Sequence, residues 1–117
     1  MMASPESVVY LAIKSLADGR VYPDEAPSPV DKPYIVYQSV GGEDGATFDG
    51  PADTQNSRMQ IAVWSKTRDE AVSIMGQVRD RLAADPVLAT PIGSAVSVYE
   101  SDTKLRGSRQ DFSIWYR

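Results

Sequence analysis

The chain has 117 residues, of which 42% are hydrophobic and 24% are charged, and this composition predicts one globular domain over residues 1–117. It contains no cysteine and no histidine, which excludes thiol chemistry and removes the commonest general base and metal ligand, so we expect neither an enzyme nor a cofactor. A net charge of −4 disfavours nucleic-acid binding, and no apolar run approaches the ~20 residues of a membrane span, so we expect no membrane contact.

The first predicted element is a helix that begins after Ser4, a typical N-cap residue, with Pro5 at its first position. Gly19 is a suitable residue to end it in the left-handed conformation. The apolar stripe consists of Val9, Ala12, Ile13 and Leu16.

Residues 23–33 contain four prolines and predict a stiff, extended connection. A strand is predicted over residues 34–40, followed by a long flexible loop at 41–57 and a second strand over 58–65. A short extended segment is also expected at residues 20–22.

The second helix has a capping-box signature, in which Thr67 caps the helix and Glu70 reaches back. Asp85-Pro86 ends it. Its buried face is predicted to be Ala71, Ile74, Met75, Val78 and Leu82. Its opposite face, predicted to be solvated, carries Arg68, Glu70, Gln77, Arg79, Asp80 and Arg81. Residues 94–101 and 108–116 then predict a hairpin of two strands.

This order predicts an α+β fold, with two helices packed on one face of a mostly antiparallel sheet of four to five strands. The face toward the helices is predicted to carry Met59, Ile61, Val63, Val96, Val98, Phe112 and Ile114. The other face, called here the second face, is predicted to carry Gln60, Trp64, Ser97, Tyr99, Ser113 and Trp115, with Tyr37 as a further member.

Both tryptophans lie out of register with the apolar residues of their strands. By strand alternation, Trp64 lies on the same face as Arg58 and Gln60, and Trp115 lies on the same face as Ser113. Large aromatic side chains among polar groups are typical of protein interfaces, so Tyr37, Trp64, Tyr99 and Trp115 are candidate contact residues. The alternative is that they only stabilise neighbouring strands of a half-exposed sheet.

Carboxylates offer two further candidate sites. Glu43, Asp44, Asp49 and Asp53 lie in the long loop and are candidate contact residues, although oxygen ligands could also hold a hard cation. The loop lacks the regular spacing of a calcium loop, which favours solvated acids. Glu100 and Asp102 could act as an acid–base pair, or they could pair with Lys104, Arg106 or Arg109 near the hairpin turn.

Charge is distributed unevenly along the chain. Residues 1–56 hold nine acids and three bases, whereas residues 57–117 hold seven acids and nine bases. Such a chain could associate head to tail with copies of itself, unless the asymmetry disappears on the folded surface.

The order and spacing of several segments resemble the tail-completion, or tail-terminator, proteins of long-tailed bacteriophages and prophages. The matching segments are residues 20–23, 33–38, 49–50, 58–65 with the capped helix that follows, Tyr99-Glu100, Asp102, Arg106 and 111–116. The resemblance extends from about Val9 to Tyr116.

The resemblance implies a small structural subunit that forms a ring, typically hexameric, at the head-proximal end of the tail tube and joins tail to head. It implies no catalytic residue and no cofactor. The implied partners are other copies of the chain, tail-tube proteins and head-completion proteins, and the implied location is the virion, after assembly in the bacterial cytoplasm.

Two other classes remain open from the residues alone. One is a monomeric or dimeric binding module that uses the aromatic sheet face, and the other is a small hydrolase that uses Glu100 and Asp102.

Overall fold

A computed structural model describes residues 4–43 and 55–116. The elements follow in the order α1 (Pro5–Ile13), a 3₁₀ turn (Ala17–Gly19), β1 (Val21–Pro23), β2 (Tyr34–Ser39), β3 (Gln55–Ser65), α2 (Arg68–Ala83), β4 (Thr90–Glu100) and β5 (Leu105–Tyr116). This confirms the predicted α+β fold, with both helices on one face of the sheet.

The five strands form one sheet in the order β1-β2-β3-β5-β4. β1 pairs with β2 in parallel, and every other pair is antiparallel. β3 and β5 are the longest pair and form the centre of the sheet. β1 and β4 are therefore the two edge strands.

The helix starts were predicted correctly. The Ser7 N–H donates to Oγ of Ser4 at 3.1 Å, and the Glu70 N–H donates to Oγ1 of Thr67 at 3.2 Å. α1 ends at Ile13, earlier than the stripe to Leu16 suggested, and Gly19 lies in the left-handed region with φ of +82°.

The solvated face predicted for α2 is exposed at every position except Arg68, which is partly buried. Arg68 donates to the carbonyl oxygens of Gly107 and Val98, so it ties the helix start to β5 and β4. The Glu70 carboxylate accepts a hydrogen bond from Ser65, instead of reaching back to the cap. The two contacts of Arg68 join residues that are 39 and 30 positions apart in sequence, which helical periodicity cannot reveal.

The core lies between the sheet and the helices. Its largest fully buried side chains include Ile13, Ile35, Met59, Ile61, Met75, Leu82, Phe112 and Ile114. The predicted buried face of α2 is confirmed at every position. Within the two described ranges, no helix has the length and apolarity needed to cross a membrane.

Strand boundaries differ from the predictions at three places. β3 begins at Gln55, so residues 55–57 belong to the strand and not to the loop. β4 begins at Thr90 and β5 at Leu105, which lengthens both strands of the hairpin. Pairing with an already formed neighbour extends a strand into residues whose own propensity for strand is low.

Candidate functional site

Trp64 lies on the second face, as predicted, and packs directly on a glycine. Its partner across the strand pair is Gly107, and a methyl group at that glycine would lie 2.9 Å from Cζ3 of the Trp64 ring. Because Gly107 has no side chain, the Trp64 indole can occupy the space above it. A glycine inside a strand commonly marks this kind of close approach.

A groove of about 590 Å³ surrounds Trp64. One wall is the proline-rich segment 24–32, called here the proline strap, which passes over the second face. The floor and opposite wall are formed by Tyr34, Val36, Ala62, Trp64, Leu105 and Arg109. The strap thus covers part of the face that the sequence predicted to be open.

Tyr34 lies beside Trp64, since the two residues are direct partners between β2 and β3. Burial raises the pKa of the Tyr34 phenol above its ordinary value of 10.0, and the negative charge of Glu100 raises it further. The phenol is therefore neutral at physiological pH and behaves as a polar groove wall.

Trp115 also lies on the second face, but far from Trp64. It is paired with Asn56, and Gly107 and Trp115 are eight residues apart on β5, a distance of about 27 Å along a strand. Trp115 is 50% exposed. The two tryptophans share one face but do not form one cluster.

A polar network lies beside Trp115. Nε of Arg58 contacts Oδ2 of Asp111 at 2.7 Å, and Nδ2 of Asn56 donates to Oγ of Ser113 at 2.9 Å. Because these contacts link β3 to β5, they hold the strands that present Trp115.

Tyr37 is not on the second face, and that prediction is wrong. It is 5% exposed, belongs to the core, and pairs with buried Ile61. Burial is the main reason that its phenol pKa is raised from 10.0. Residues Tyr34 to Tyr37 are apolar or aromatic without alternation, so the sequence left the orientation of this strand undetermined.

Tyr99 is also on the opposite face from the tryptophans. It pairs with Arg106, which pairs in turn with buried Ser65 on the side of the helices. The Arg106 guanidinium lies 4.9 Å from the centre of the Tyr99 ring. Tyr99 remains 52% exposed, but it does not extend the surface around Trp64 or Trp115.

The part of β4 from Val96 to Tyr99 is reversed relative to its predicted orientation. Val96 and Val98, expected in the core, pair with Arg109 and Gly107 on the second face. The hairpin turn pairs Glu100 with Leu105 and fixes this register, because a shift of one residue exchanges the two faces of a strand.

The acidic candidates are only partly described by the structure. Glu43 is exposed, and its N–H donates to Oδ1 of Asn56 at 2.9 Å, which anchors the start of the loop. Asp44, Asp49 and Asp53 lie outside the described residues. Among residues 4–43 and 55–116, no three carboxylates come together as metal ligands would.

Of the two hairpin carboxylates, Glu100 makes a contact within the turn. Oε1 of Glu100 accepts a hydrogen bond from Oγ1 of Thr103 at 2.6 Å, which is a contact within the turn. Arg106, one of the expected ion-pair partners, instead donates to the Lys104 carbonyl at 2.9 Å. These contacts stabilise the turn.

The sequence interpretation did not identify the proline strap as a groove wall, and it did not identify Gly107 as the residue on which the Trp64 ring packs. The sequence signal for the packing of Trp64 on Gly107 was a glycine inside an otherwise regular strand. It also missed Gln110, a buried amide that donates to the carbonyls of Ile92 and Gly93 at 3.1 and 2.9 Å and holds the bulge of β4.

A family model described as tail completion protein gp17 matches residues 10–117 of the chain. The chain belongs to the tail completion protein gp17 family. Membership identifies it as a structural tail protein and agrees with the resemblance found in the sequence. No curated protein sequence matches the chain.

This tail completion protein shares its fold with a chain of a solved structure titled "Virion of native gene transfer agent (GTA) particle". The TM-score is 0.64 at 18% sequence identity, over 96% of this chain and 86% of that one. The likeness therefore covers the sheet and both helices. At 18% sequence identity, this structural similarity shows that the two chains share a fold.

Proposed function

We propose that this tail completion protein forms an oligomeric ring, with six copies, at the head-proximal end of the tail tube. There it ends the tube and joins the tail to the head. It would assemble in the bacterial cytoplasm and remain in the virion. The observation that carries this proposal is the family match over residues 10–117.

The architecture suits such a role physically. A ring of identical subunits needs two different surfaces that fit each other, and the sheet has two different edges, the short strand β1 and the long strand β4. The long β3–β5 pair provides a rigid support between these two edges.

Trp115 is the residue of the second face best placed to contact a tail-tube or head-completion protein. It is half exposed, and the Arg58–Asp111 pair and the Asn56–Ser113 hydrogen bond hold the strands beneath it. A large aromatic side chain on a firm support is typical of residues that dominate binding energy at interfaces.

Trp64 has a smaller direct part in this proposal. Its ring is packed on Gly107 beneath the proline strap, so it acts mainly by holding the groove and β5 in place. The acidic residues Glu43, Asp44, Asp49 and Asp53 would face a neighbouring subunit or the ring lumen. Negative charge there would repel DNA that passes through the ring.

The test is complementation in a particle-producing host that lacks the gene. We expect the null strain to accumulate separate heads and tails, and the wild-type gene to restore joined particles in electron micrographs. Joined, normal particles in the null strain would contradict the proposal.

A Trp115→Ala variant examines the contact surface within the same assay. We expect it to be produced and folded but to yield at least tenfold fewer joined particles. Trp64→Phe, which keeps an aromatic ring on Gly107, is the matched control and should join particles at close to the wild-type level.

The groove beside Trp64 favours a second candidate, a monomeric binding module that holds an extended peptide. Its aromatic floor and the covering proline strap are suited to such a ligand. In that case groove substitutions such as Val36→Asp would abolish function while Trp115→Ala would not, the reverse of the result expected for the ring.

A further inference from the structure

The two edge strands of the sheet differ in how open they are. β1 has three residues, whereas β4 has eleven, and both lie at the ends of the strand order. An edge strand presents backbone N–H and C=O groups without partners in its own sheet, which can pair with another chain. The hydrogen bonds of the inner strands determine which of these groups point outward.

The direction of the backbone groups can be followed from β3 to β5. The Val40 N–H donates to the Arg58 carbonyl, and the Arg58 N–H donates to the Gly41 carbonyl, both at 2.8 Å. Arg58 therefore turns its backbone groups toward the side of β2. Because this direction alternates along an antiparallel strand, Val63 turns its groups toward β5 and bonds to its partner Ser108.

Two residues in the regular part of β4 have open backbone groups. Ser97 is the partner of Ser108, whose own groups are taken by β3, so Ser97 turns its N–H and C=O away from the sheet. Tyr99, two residues further along the strand, has the same direction. The residues between and beside them, Val98 and Val96, bond inward to β5.

The edge of β4 is uncharged and partly apolar. Residues 92–99 contain no charged residue and no proline, which are the usual protections of an edge strand. Val96 and Tyr99 are 53% and 52% exposed, and Val72 on α2 is 52% exposed. The bulge of β4 lies before Val96, and pairing from Val96 to Glu100 is regular. This regular part is therefore open to a partner strand.

A cavity of about 250 Å³ lies beside this edge, between α2 and β4. Val72, Met75 and Gly76 line it from α2, and Ala95 and Ser97 line it from β4. A methyl group built on Gly76 would have no neighbouring atom within 4 Å. Small side chains on both walls therefore leave space for a side chain from a partner.

The residue pattern of β4 is complementary to itself in an antiparallel pair. With a two-fold axis at Val98, the Val98 residues of two copies lie opposite each other, and Ser97 of each copy lies opposite Tyr99 of the other. The open groups of Ser97 and Tyr99 are then all bonded. Glu100 lies opposite Val96, so no like charges meet across the pair.

Tyr99 and the cavity also match in this arrangement. Ser97 pairs with buried Ser108, so Ser97 and Tyr99 both lie on the helix side of the sheet, where the cavity is. A Tyr99 side chain from the second copy stands over the small Ser97 and can lean toward α2 into the cavity. Each copy thus supplies one exposed aromatic ring and one space that can receive it.

The edge of β1 does not match β4 in this way. The Arg20 carbonyl accepts from the Ile35 N–H, and the Asp24 N–H donates to the Tyr37 carbonyl, so alternate residues of this segment bond to β2. Val21 and Pro23 are the residues turned outward, and proline has no N–H. Within residues 4–43 and 55–116, the strand edge that matches β4 is therefore β4 itself.

We infer that β4 of one copy pairs with β4 of a second copy, antiparallel about a two-fold axis at Val98, and that each Tyr99 side chain enters the cavity between α2 and β4 of the other copy. This contact uses the same surface on both copies and closes at two. It goes beyond the proposed function, because a two-fold contact does not build a ring. It covers the open edge of the free chain.

Disulfide formation tests the pairing, since the natural chain has no cysteine. In an antiparallel pair, opposite residues that do not bond to each other have Cα atoms about 4.5 Å apart, within the range that a disulfide needs. We expect the purified Val98→Cys variant to form a disulfide-linked dimer under mild oxidation, measured on a non-reducing gel. Circular dichroism should show that the variant is folded.

Val96→Cys is the matched control, because Val96 lies on the same strand and the same sheet face and is half exposed. In the inferred register the two Val96 residues are roughly 14 Å apart along the strands. We expect Val98→Cys to form the dimer at least about tenfold faster than Val96→Cys. Equal rates, a faster rate for Val96→Cys, or a Val98→Cys variant that stays monomeric would overturn the inference.

Gly76→Leu, introduced into the Val98→Cys chain, tests the place of Tyr99. The leucine side chain fills the cavity that receives the tyrosine, so we expect dimer formation to slow by about tenfold. Leucine is a better helix former than glycine, so the free energy of unfolding should not fall. An unchanged rate of dimer formation would overturn the inference.

Gln77→Leu is the matched control for this substitution. Gln77 is the exposed neighbour of Gly76 on α2 and is not among the residues that line the cavity. In the Val98→Cys chain it should leave the rate of dimer formation unchanged. Equal slowing by both leucine variants would show that the effect does not come from the cavity and would contradict the inference.

Failure of this contact is distinguishable from failure of the proposed function. If the null strain accumulates separate heads and tails but Val98→Cys forms no dimer, the tail role stands and the two-fold contact does not. If the dimer forms as expected but the null strain joins particles normally, the contact stands and the proposed role does not.

Discussion

Trp64 and Trp115 have the same pattern in the sequence but different surroundings in the structure. Both break the apolar alternation of their strands and lie on the second face. Trp64 rests on Gly107 beneath the proline strap, whereas Trp115 is half exposed beside a polar network. The comparison shows that an out-of-register aromatic residue can serve packing at one site and remain available for contact at another.

The largest expected difference is in stability. Trp64→Ala should lower the free energy of unfolding by about 2–4 kcal/mol, because it empties the space above Gly107 and exposes the groove floor. Trp115→Ala should change it by less than about 1 kcal/mol, as is usual for an exposed side chain. Urea denaturation measures both, and equal losses would remove the distinction between the two sites.

Gly107→Ala sharpens the packing role of Trp64. The added methyl group would lie 2.9 Å from the indole, so we expect a loss of about 1–3 kcal/mol in the free energy of unfolding. In a Trp64→Ala background the same change should be nearly neutral. A double-mutant cycle measures this coupling, and additive losses would argue against direct packing.

Tyr34 reports on burial of the Trp64 region through its titration. Its raised pKa means that the folded state disfavours the phenolate. The stabilisation is therefore complete below the unfolded pKa of about 10 and is lost as pH rises through the folded pKa. Tyr34→Phe should flatten the decline in stability above pH ~10, and an unchanged decline would assign it to other groups.

The smallest expected effect concerns the support of Trp115. Arg58 is about half exposed, so Arg58→Ala should lower the free energy of unfolding by less than about 1 kcal/mol, and the loss should shrink at high salt. Joining of particles should fall more than stability does, because the substitution loosens the strands that present Trp115. A larger, salt-independent loss of stability would show that the end of the sheet beside Trp115 is packed as tightly as the groove beside Trp64.

Much of the fold could be predicted because its signals are local. Ser4 and Thr67 cap their helices as expected, and the apolar face of α2 is buried at every predicted position. Alternation in β3 and β5 correctly placed both tryptophans on the second face. Each of these signals lies within a few residues of the feature it predicts.

The errors arose where the local pattern is ambiguous or the deciding contact is distant. β2 is apolar on both faces at its start, so Tyr37 could not be placed. β4 alternates weakly, and the turn from Glu100 to Leu105 decides which of its faces meets the helices.

The sequence by itself determined the class of fold, the helix starts and the family, because these depend on short patterns and their order. Only the tertiary structure decided that Tyr37 is core, that Tyr99 faces away from the tryptophans, and that Trp64 is packed while Trp115 is exposed. The physical reason is that strand alternation fixes only which side chains share a face. Strand register, the glycine opposite an aromatic ring and the proline strap then determine what each face touches.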